Sequence, residues 1–282
     1  MVKKITFARM IKKGISFWVV LVVAIIVSSC SEYNKVLKST DLEYKYSKAN
    51  EYYEKGDYYK AYPLIEELTA IYRGQKRSEK LYYMFAYSDF YLEDYLLASH
   101  RFSEFTKTFP TSQYAEECAF MSAFSLYKLS PPPKLDQSNT YSAISNLQLF
   151  VDRYPRSTRV DSCNVLIVEL ERKIEQKAFD GANQYKKMEN YTSAVLTYEN
   201  ILKDFPDTKY REDIYFNIFE SYYLLAIKSV QEKKSERIAK AFKAYVNFAD
   251  RFPSSERMSM AQEMYARLEK MNEKLKKDND DV

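Results

Sequence analysis

Four segments of this 282-residue chain share one spacing, in which an alanine is followed by a bulky residue four positions later and a proline twelve positions later. The copies are Ala98-Phe102-Pro110, Ala143-Leu147-Pro155, Ala194-Tyr198-Pro206 and Ala241-Tyr245-Pro253. Ala61 and Ile65 repeat the first half of the pattern near the start of the chain. A spacing that recurs in one register is the sequence signature of a repeat architecture.

Each copy has the properties of a helix that packs closely against a neighbour and then stops. Residues four positions apart lie on one face of a helix, so the alanine leaves room for a second helix beside the bulky side chain. The residue before a proline is driven out of the helical conformation. Helices should therefore end at Phe109, Tyr154, Phe205 and Phe252. Residues of the type that caps helix N-termini follow each proline, namely Thr111 and Ser112, Ser157 and Thr158, Asp207 and Thr208, and Ser254 and Ser255.

These helical hairpins resemble the tetratricopeptide repeat, which has small residues in both helices, aromatic residues near them and a closing proline. The full pattern occurs once, in Ala182, Tyr185, Ala194, Tyr198 and Pro206. In the second unit Asp89 stands where an aromatic residue is expected, and the third and fifth units match only in their second helices.

The prolines are spaced more widely than the ~34 residues of a minimal repeat. We therefore expect insertions that lengthen the hairpin turns of the third and fifth units, at SPPPKLDQSNT after Leu129 and near VQEKKSERIAK. The resemblance covers residues 41–275. It implies an all-α fold, an α-α superhelix (solenoid) of about five tetratricopeptide-like helical hairpins.

The first 30 residues indicate export. Five basic residues precede an apolar stretch, residues 15–27, that is shorter than the ~20 residues of a membrane span. The segment Val27-Ser28-Ser29-Cys30 resembles a bacterial lipoprotein processing site, which implies that residues 1–29 are a signal peptide and that the Cys30 thiol is lipidated. Residues 30–40 would form the lipidated tether, and residues 40–43 have the spacing of a capping box that begins the first helix. An uncleaved membrane anchor with an incidental cysteine is the alternative.

The residues after Cys30 bear on where the protein is held. Ser31 follows the cysteine where an aspartate would redirect sorting, so by analogy with bacterial lipoproteins we expect the outer membrane. The linker SEYNKVLKS has a single acidic residue, whereas acidic runs mark some surface-displayed lipoproteins. We therefore expect the chain to face the periplasm.

Composition disfavours nucleic-acid binding and catalysis. The first 30 residues carry five of the 43 basic residues and none of the 39 acidic ones, so the rest of the chain is nearly neutral. Four glycines provide no phosphate-binding loop, and His100 has no evident partner for a triad or a metal site. Cys118 and Cys163 fall at equivalent places on the first helices of successive repeats, which lie too far apart for a disulfide, so we expect two buried thiols. We predict no enzyme, no metal and no cofactor.

Tyrosine is concentrated in residues 44–95, which hold 13 of the 27 tyrosines. Six residues fall at first-helix positions that line the concave side of tetratricopeptide-like repeats. They are Tyr46, Asn50 and Tyr53 in the first unit, and Tyr83, Tyr87 and Tyr91 in the second. Tyrosine combines apolar area with a hydroxyl at low entropic cost, so these positions predict a groove for peptides.

A lipid-anchored repeat protein of this length resembles the BamD (YfiO/ComL) family of outer-membrane assembly lipoproteins. The resemblance is carried by YYEKGDYYKA, TFPTSQYAEE, the insertion before TYSAISNLQLFVDRYP and, above all, ILKDFPDTKYRED. It implies a non-enzymatic component of the outer-membrane β-barrel assembly (BAM) machinery. The N-terminal repeats, residues 41–112, would bind unfolded barrel proteins through the tyrosine groove. Residues 113–275, repeats 3–5 and a capping helix, would dock the periplasmic POTRA domain of a BamA-type insertase.

On this resemblance the docking residues are Lys203, Asp204, Asp207, Lys209 and Arg211, and residues 276–282 would form a disordered tail. Two alternatives stay open. A periplasmic scaffold for cell-envelope enzymes would share the repeat and differ only in its partner. A SusD-like glycan-binding lipoprotein is less compatible, because such chains are far longer and carry a separate binding subdomain.

Overall fold

The structure is a computed structural model that describes residues 32–280, with side chains described as far as residue 277. The predicted signal peptide and the lipidation site at Cys30 lie outside these residues. Residues 32–280 contain helices and no strands, which confirms the all-α prediction. The helices are α1 (residues 32–38), α2 (Leu42–Glu54), α3 (Tyr58–Ile71), α4 (Ser78–Tyr91), α5 (Tyr95–Thr108), α6 (Ala115–Leu129), α7 (Ser138–Arg153), α8 (Val160–Lys187), α9 (Tyr191–Asp204), α10 (Arg211–Ile227), α11 (Gln231–Arg251) and α12 (Met258–Asp280).

The chain folds as two compact units. The first comprises the described residues up to 130 together with 142–164, and the second comprises 131–141 and 165 onward. In the first unit the helices from α2 to α6 pack in succession, each against the next, and in the second unit the helices from α9 to α12 do the same. This succession of helical hairpins is the arrangement expected of an α-α superhelical repeat fold. The division of roles predicted from the sequence, with residues 41–112 for substrate binding and 113–275 for docking, does not follow from these two units and stays a prediction.

The repeat alanines lie in the buried core between the helices. Ala61, Ala98, Ala143, Ala194 and Ala241 are all fully buried, and the bulky partner four residues later is fully buried in every unit except the fifth, where Tyr245 is partly buried. The predicted register is therefore confirmed. Because no side chain longer than a methyl group fits at these positions without displacing a neighbour, the alanines fix how closely successive helices approach.

The pre-proline residues end their helices as predicted. Phe109, Phe205 and Phe252 are the C-caps of α5, α9 and α11, and their φ of −126°, −125° and −130° is far from the helical value. The fourth residue, Tyr154, follows the last residue of α7. Proline thus closes each repeat by excluding the helical conformation of the residue before it.

The polar residues after each proline act differently from the expected N-caps. Each next helix begins several residues later, and the hydroxyl accepts the N–H of the residue two positions on, as in the 3.0 Å bond from Tyr114 to Ser112. The same hydroxyls also donate to a glutamate in the first helix of the repeat that the proline closes. The four pairs are Ser112 with Glu79, Ser157 with Glu116, Thr208 with Glu175 and Ser255 with Glu212. These residues therefore connect the end of each repeat to its own first helix as well as shaping the turn.

The two predicted insertions have different outcomes. The third hairpin does have a long turn, since α6 ends at Leu129 and α7 begins at Ser138, and the Gln137 amide folds this turn by donating to the carbonyls of Pro132 and Leu135. The prediction for the fifth unit was wrong. Only residues 228–230 separate α10 from α11, and the added residues lengthen α11 to 21 residues against 14 for α9. The segment QEKKSERIAK lacks glycine and proline and consists largely of helix-forming residues, so it extends the helix.

Both ends of the described chain are more helical than expected. Residues 32–38 form α1, which packs on the first repeat: Val36 is fully buried, and Glu32 forms an ion pair with Lys48 at 3.3 Å. The N-cap of α2 is Asp41, one residue beyond the start of the predicted capping box, and its carboxylate accepts the N–H groups of Glu43 and Tyr44. At the other end α12 continues to Asp280, into the segment expected to be disordered. No helix in residues 32–280 is long and apolar enough to cross a membrane.

Candidate functional site

Six tyrosine rings meet within the first compact unit and form what we call the tyrosine cluster. It is built from α2 and α4, which are the first helices of repeats 1 and 2, and from the starts of α3 and α6. Its members are Tyr53, Tyr58, Tyr83, Tyr87, Tyr91 and Tyr114. Tyr58 stacks on Tyr91 with ring centroids 4.5 Å apart, and Tyr83 lies 4.7 Å from Tyr87 and 4.6 Å from Tyr114.

Helical periodicity explains most of this arrangement. Tyr83, Tyr87 and Tyr91 follow one another at four-residue intervals, so they share one face of α4. Tyr91 is 50% exposed, whereas Tyr87 is only 8% exposed because its ring packs edge-on against Phe102 at 4.9 Å. The accessible part of the cluster is therefore centred on Tyr91 rather than on Tyr87.

Two residues of the predicted groove lie apart from these ring contacts. Tyr46 packs against Tyr72 at 6.3 Å, and the Arg77 guanidinium lies over its ring at 4.9 Å. Asn50 donates from its amide to the Tyr46 carbonyl at 2.7 Å, and its Oδ1 atom is buried without a hydrogen-bond partner. Conversely, Tyr58 and Tyr114 join the cluster although no sequence pattern selected them. Both lie where a turn enters a helix, outside the first-helix positions used for the prediction.

Burial raises the pKa of several hydroxyl groups in the cluster. Burial raises the pKa of Tyr87, and a 2.5 Å hydrogen bond that its hydroxyl donates to Glu117 raises it further. Burial likewise raises the pKa of Tyr53, with smaller contributions from Tyr83 and Tyr91, and raises the pKa of Tyr83 to about 12. The cluster thus offers apolar ring surface and neutral hydroxyl groups that can donate and accept hydrogen bonds, which suits the binding of a peptide.

An ion pair explains why Asp89 replaces the aromatic residue that the repeat pattern has at this position. Asp89 on α4 is 1% exposed and pairs with Arg101 on α5 at 2.5 Å. The Arg101 guanidinium stacks on Phe85 at 3.5 Å and donates to the Tyr62 hydroxyl at 3.3 Å. Burial nevertheless raises the pKa of the Asp89 carboxyl to about 6, because desolvation outweighs the nearby positive charge.

The predicted docking residues meet at the turn between α9 and α10. Lys203 and Asp204 end α9, Asp207 and Lys209 lie in the turn, and Arg211 begins α10. The first four are exposed, and Arg211 is partly exposed. Within the described residues none of the five forms an ion pair, so their charges are available to a partner.

This turn is held firmly against α8. The buried hydroxyl of Thr208 donates to the buried carboxylate of Glu175, and the Tyr210 hydroxyl donates to Gln176. The Tyr210 ring also stacks on Phe179 with centroids 4.2 Å apart and ring planes 6° apart. A cavity of 460 Å³ lies beside the turn, with Val168 and Arg172 of α8 facing Phe205 and Pro206. The α9–α10 turn therefore presents its charges from a fixed backbone.

The two cysteines in the described residues are buried thiols, as predicted. His100 is exposed on α5, and both Cys118 and Cys163 are free and fully buried. Burial raises the pKa of both thiols, which lowers their reactivity. Among the described residues no group of three or more histidine, cysteine, aspartate or glutamate side chains could hold a metal ion.

Comparison with known proteins agrees with this arrangement. A family model described as "YfiO: Outer membrane lipoprotein" matches residues 39–238. The putative outer membrane protein assembly factor BamD of Aquifex aeolicus (strain VF5) is 23% identical to this chain over 226 residues, which cover 77% of this chain and 72% of that protein. The family match takes in both the tyrosine cluster and the α9–α10 turn. The chain thus belongs to the BamD (YfiO) family of outer membrane lipoproteins.

Proposed function

We propose that this chain is a non-enzymatic component of the outer-membrane β-barrel assembly machinery. In this proposal the tyrosine cluster binds unfolded barrel proteins, and the α9–α10 turn docks the periplasmic POTRA domain of a BamA-type insertase. Membership of the family and the assembly-factor name of the Aquifex relative support the general role. The observation that carries the substrate-binding role is the meeting of six tyrosine rings on the first helices of repeats 1 and 2 and the turns beside them.

The chemistry of the cluster fits an unfolded barrel segment. Barrel strands alternate apolar and polar residues, and their ends are rich in aromatic residues. Partly exposed rings can cover such apolar side chains, while the neutral hydroxyls bond to the peptide backbone. Since the rings are already packed against one another, little side-chain freedom remains to be lost on binding.

The test replaces the exposed Tyr91 and the partly buried Tyr53 and leaves the fully buried side chains in place. In a double variant, Tyr53→Ala with Tyr91→Ala, we expect binding of C-terminal peptides from outer-membrane barrels to weaken roughly tenfold or more, because buried aromatic side chains contribute ~1 to 4 kcal/mol each to peptide affinity. Fluorescence anisotropy of labelled peptides measures this. Tyr87 is left in place because its ring packs against Phe102.

A matched control uses two tyrosines outside the cluster. Tyr59 on α3 and Tyr141 on α7 are 81% and 58% exposed, so Tyr59→Ala with Tyr141→Ala removes the same number of rings from the surface. This variant should bind the peptides as the parent does. If the Tyr53 and Tyr91 variant also matches the parent, the substrate role of the cluster is wrong, and a scaffold role becomes the better proposal.

The docking role is supported by the geometry of the α9–α10 turn. Its charges are exposed and unpaired among the described side chains, and its backbone is fixed by Thr208 and Tyr210. Exposed charges at an interface steer association and make it sensitive to salt. The turn also places Phe205 and Pro206 beside the charges, at the edge of the cavity against α8, so a partner would meet both apolar and charged groups.

We further propose that the Cys30 thiol carries the lipid anchor on the periplasmic side of the outer membrane. Residue 32 already packs on the first repeat through Glu32 and Lys48. Two residues of chain span at most about 7 Å. The lipid would therefore hold repeat 1 close to the membrane surface, closer than a free tether of ten residues would allow.

The anchor is tested by removing the thiol. Cys30→Ala should abolish incorporation of labelled palmitate, because no sulfur atom remains at the processing site to form the thioether. Mass spectrometry of the purified protein should show no lipid-modified mature form. Cys118→Ala is the matched control and should label as the parent does, since Cys118 is buried. A mature, labelled Cys30→Ala protein would contradict lipidation at this position.

A further inference from the structure

A groove on the second unit involves neither the tyrosine cluster nor the α9–α10 turn. It lies between the first half of α9 and the start of α11, at the end of α9 away from that turn. The seven residues by which α11 exceeds α9 add about 10 Å of helix at 1.5 Å per residue. The added helix forms one wall of the groove.

The groove has an apolar floor and a basic rim. Its volume is 470 Å³, and Val195, Tyr222 and Leu225 form the floor. Leu196 stands at the side and is 60% exposed, so it adds apolar surface that solvent can reach. Lys233, Arg237 and Lys240 project from α11 along the rim. The first 13 residues of α11 contain five basic and two acidic residues, so the wall is basic as a whole.

The cations on the rim differ in their present partners. The Arg237 guanidinium donates to the Ser229 hydroxyl at 2.6 Å, and that hydroxyl donates in turn to the Leu225 carbonyl, which fixes the arginine over the end of α10. Lys240 pairs with Glu236 at 2.6 Å. Lys233 is exposed and forms no ion pair with any described side chain. The rim thus has one positioned and one uncommitted positive charge beside exposed apolar surface.

We propose that this groove binds an acidic amphipathic helix from a partner protein. Apolar side chains of that helix would cover Leu196 and the floor, and its carboxylates would meet Lys233 and Arg237. Binding of an amphipathic helix in a groove through apolar side chains at helical spacing is a common mode of peptide recognition. A membrane surface fits less well, because a flat layer of headgroups cannot follow a concave groove, whereas a single helix can lie in it.

The test selects the ligand chemistry directly. A library of displayed 14-residue amphipathic peptides of varied charge is enriched on the whole mature protein and depleted on the Lys233→Glu, Lys240→Glu variant. We expect the enriched peptides to combine apolar residues at helical spacing with aspartate and glutamate. Binding of an enriched peptide, measured by anisotropy, should fall at least tenfold in the charge-reversed variant and severalfold in Leu196→Ser. The Lys233→Gln, Lys240→Gln variant should show an intermediate loss.

A control variant distinguishes binding in this groove from a general effect of surface charge. Lys270→Glu with Lys274→Glu changes two exposed lysines on α12 outside the groove, and this variant should bind as the parent does. The proposal is overturned if the selection yields no peptide that distinguishes the parent from the reversed variant, or if the enriched peptides are neutral or basic. It is also overturned if the same lysines instead control binding to phosphatidylglycerol vesicles or self-association of the chain. None of these outcomes bears on the tyrosine cluster or the docking turn.

Discussion

At the residue scale, Asp89 shows how a departure from the repeat pattern can still be part of the core. The repeat pattern identified Asp89 as the residue that replaces an expected aromatic, but it did not identify Arg101 as its partner, since the pairing depends on how α5 packs on α4. Asp89 is nearly inaccessible to water, whereas Arg101 is partly exposed and contacts Phe85 and Tyr62. Removing the Arg101 charge would leave a buried Asp89 carboxylate without its cation.

The raised pKa of Asp89 predicts a specific pH dependence. Its pKa rises from 3.8 in the unfolded chain to about 6 in the fold, so between these values the folded chain binds a proton that the unfolded chain does not. The contribution of Asp89 to the free energy of unfolding is therefore present below pH 4 and is lost as the pH rises through 6. Relative to Asp89→Asn, the parent should lose about 2 to 3 kcal/mol between pH 3.5 and pH 7.

Denaturant unfolding at a series of pH values measures this difference. Because other groups titrate equally in both proteins, only the difference between parent and variant matters. Asp250→Asn, at an exposed position on α11, should run parallel to the parent throughout. Parallel curves for the Asp89→Asn variant as well would show that the carboxyl titrates normally in the fold.

Only part of the tyrosine cluster could be predicted from the sequence pattern. The first-helix positions of the repeat pattern selected Tyr83, Tyr87 and Tyr91, and the structure places these three rings in contact as a continuous series. Tyr58 and Tyr114 could not be selected in this way, because the direction of a side chain at the start of a helix depends on the turn before it. The burial of Tyr87 depends likewise on its contact with Phe102 from the next helix.

At the element scale, features that depend on a few neighbouring residues could be predicted from the sequence. The alanine and proline positions of each unit predicted where helices pack and where they end, and both are confirmed. The length of α11 was not predictable from spacing alone, because inserted residues can lengthen either a turn or a helix. Composition could have decided the matter: SPPPKLDQ contains three consecutive prolines and forms a turn, whereas QEKKSERIAK has none and extends a helix.

The role of the repeat alanines is tested by one substitution at two positions of α11. Ala241 is fully buried and Ala239 is exposed, so leucine at 241 overpacks a helix contact while leucine at 239 points into solvent. Ala241→Leu should lower the free energy of unfolding by about 1 to 3 kcal/mol, and Ala239→Leu should leave it nearly unchanged. Thermal melts of the two variants compare them directly. Coincident melting temperatures would mean that the alanine register does not set helix packing.

At the scale of the whole molecule, the tyrosine cluster and the α9–α10 turn lie in different compact units of the chain. Each compact unit has its own buried core, and in repeat proteins a unit interacts mainly with its neighbours. Surface substitutions in the tyrosine cluster should therefore leave the α9–α10 turn folded, and the reverse should also hold. This independence would allow the proposed substrate binding and the proposed insertase docking to be separated by mutation.

Recovery of the insertase from membranes is the measurement that tests the central claim most directly. The tagged protein is purified from membranes solubilised in mild detergent, and the co-purifying BamA-type insertase is quantified. The parent should retain the insertase, with less at high salt, and the tyrosine variant Tyr53→Ala, Tyr91→Ala should retain as much. A variant carrying Lys203→Glu, Lys209→Glu and Arg211→Glu should lose most of it, whereas Lys270→Glu with Lys274→Glu should not. A parent protein that recovers no insertase, or a triple variant that retains it fully, would contradict the account.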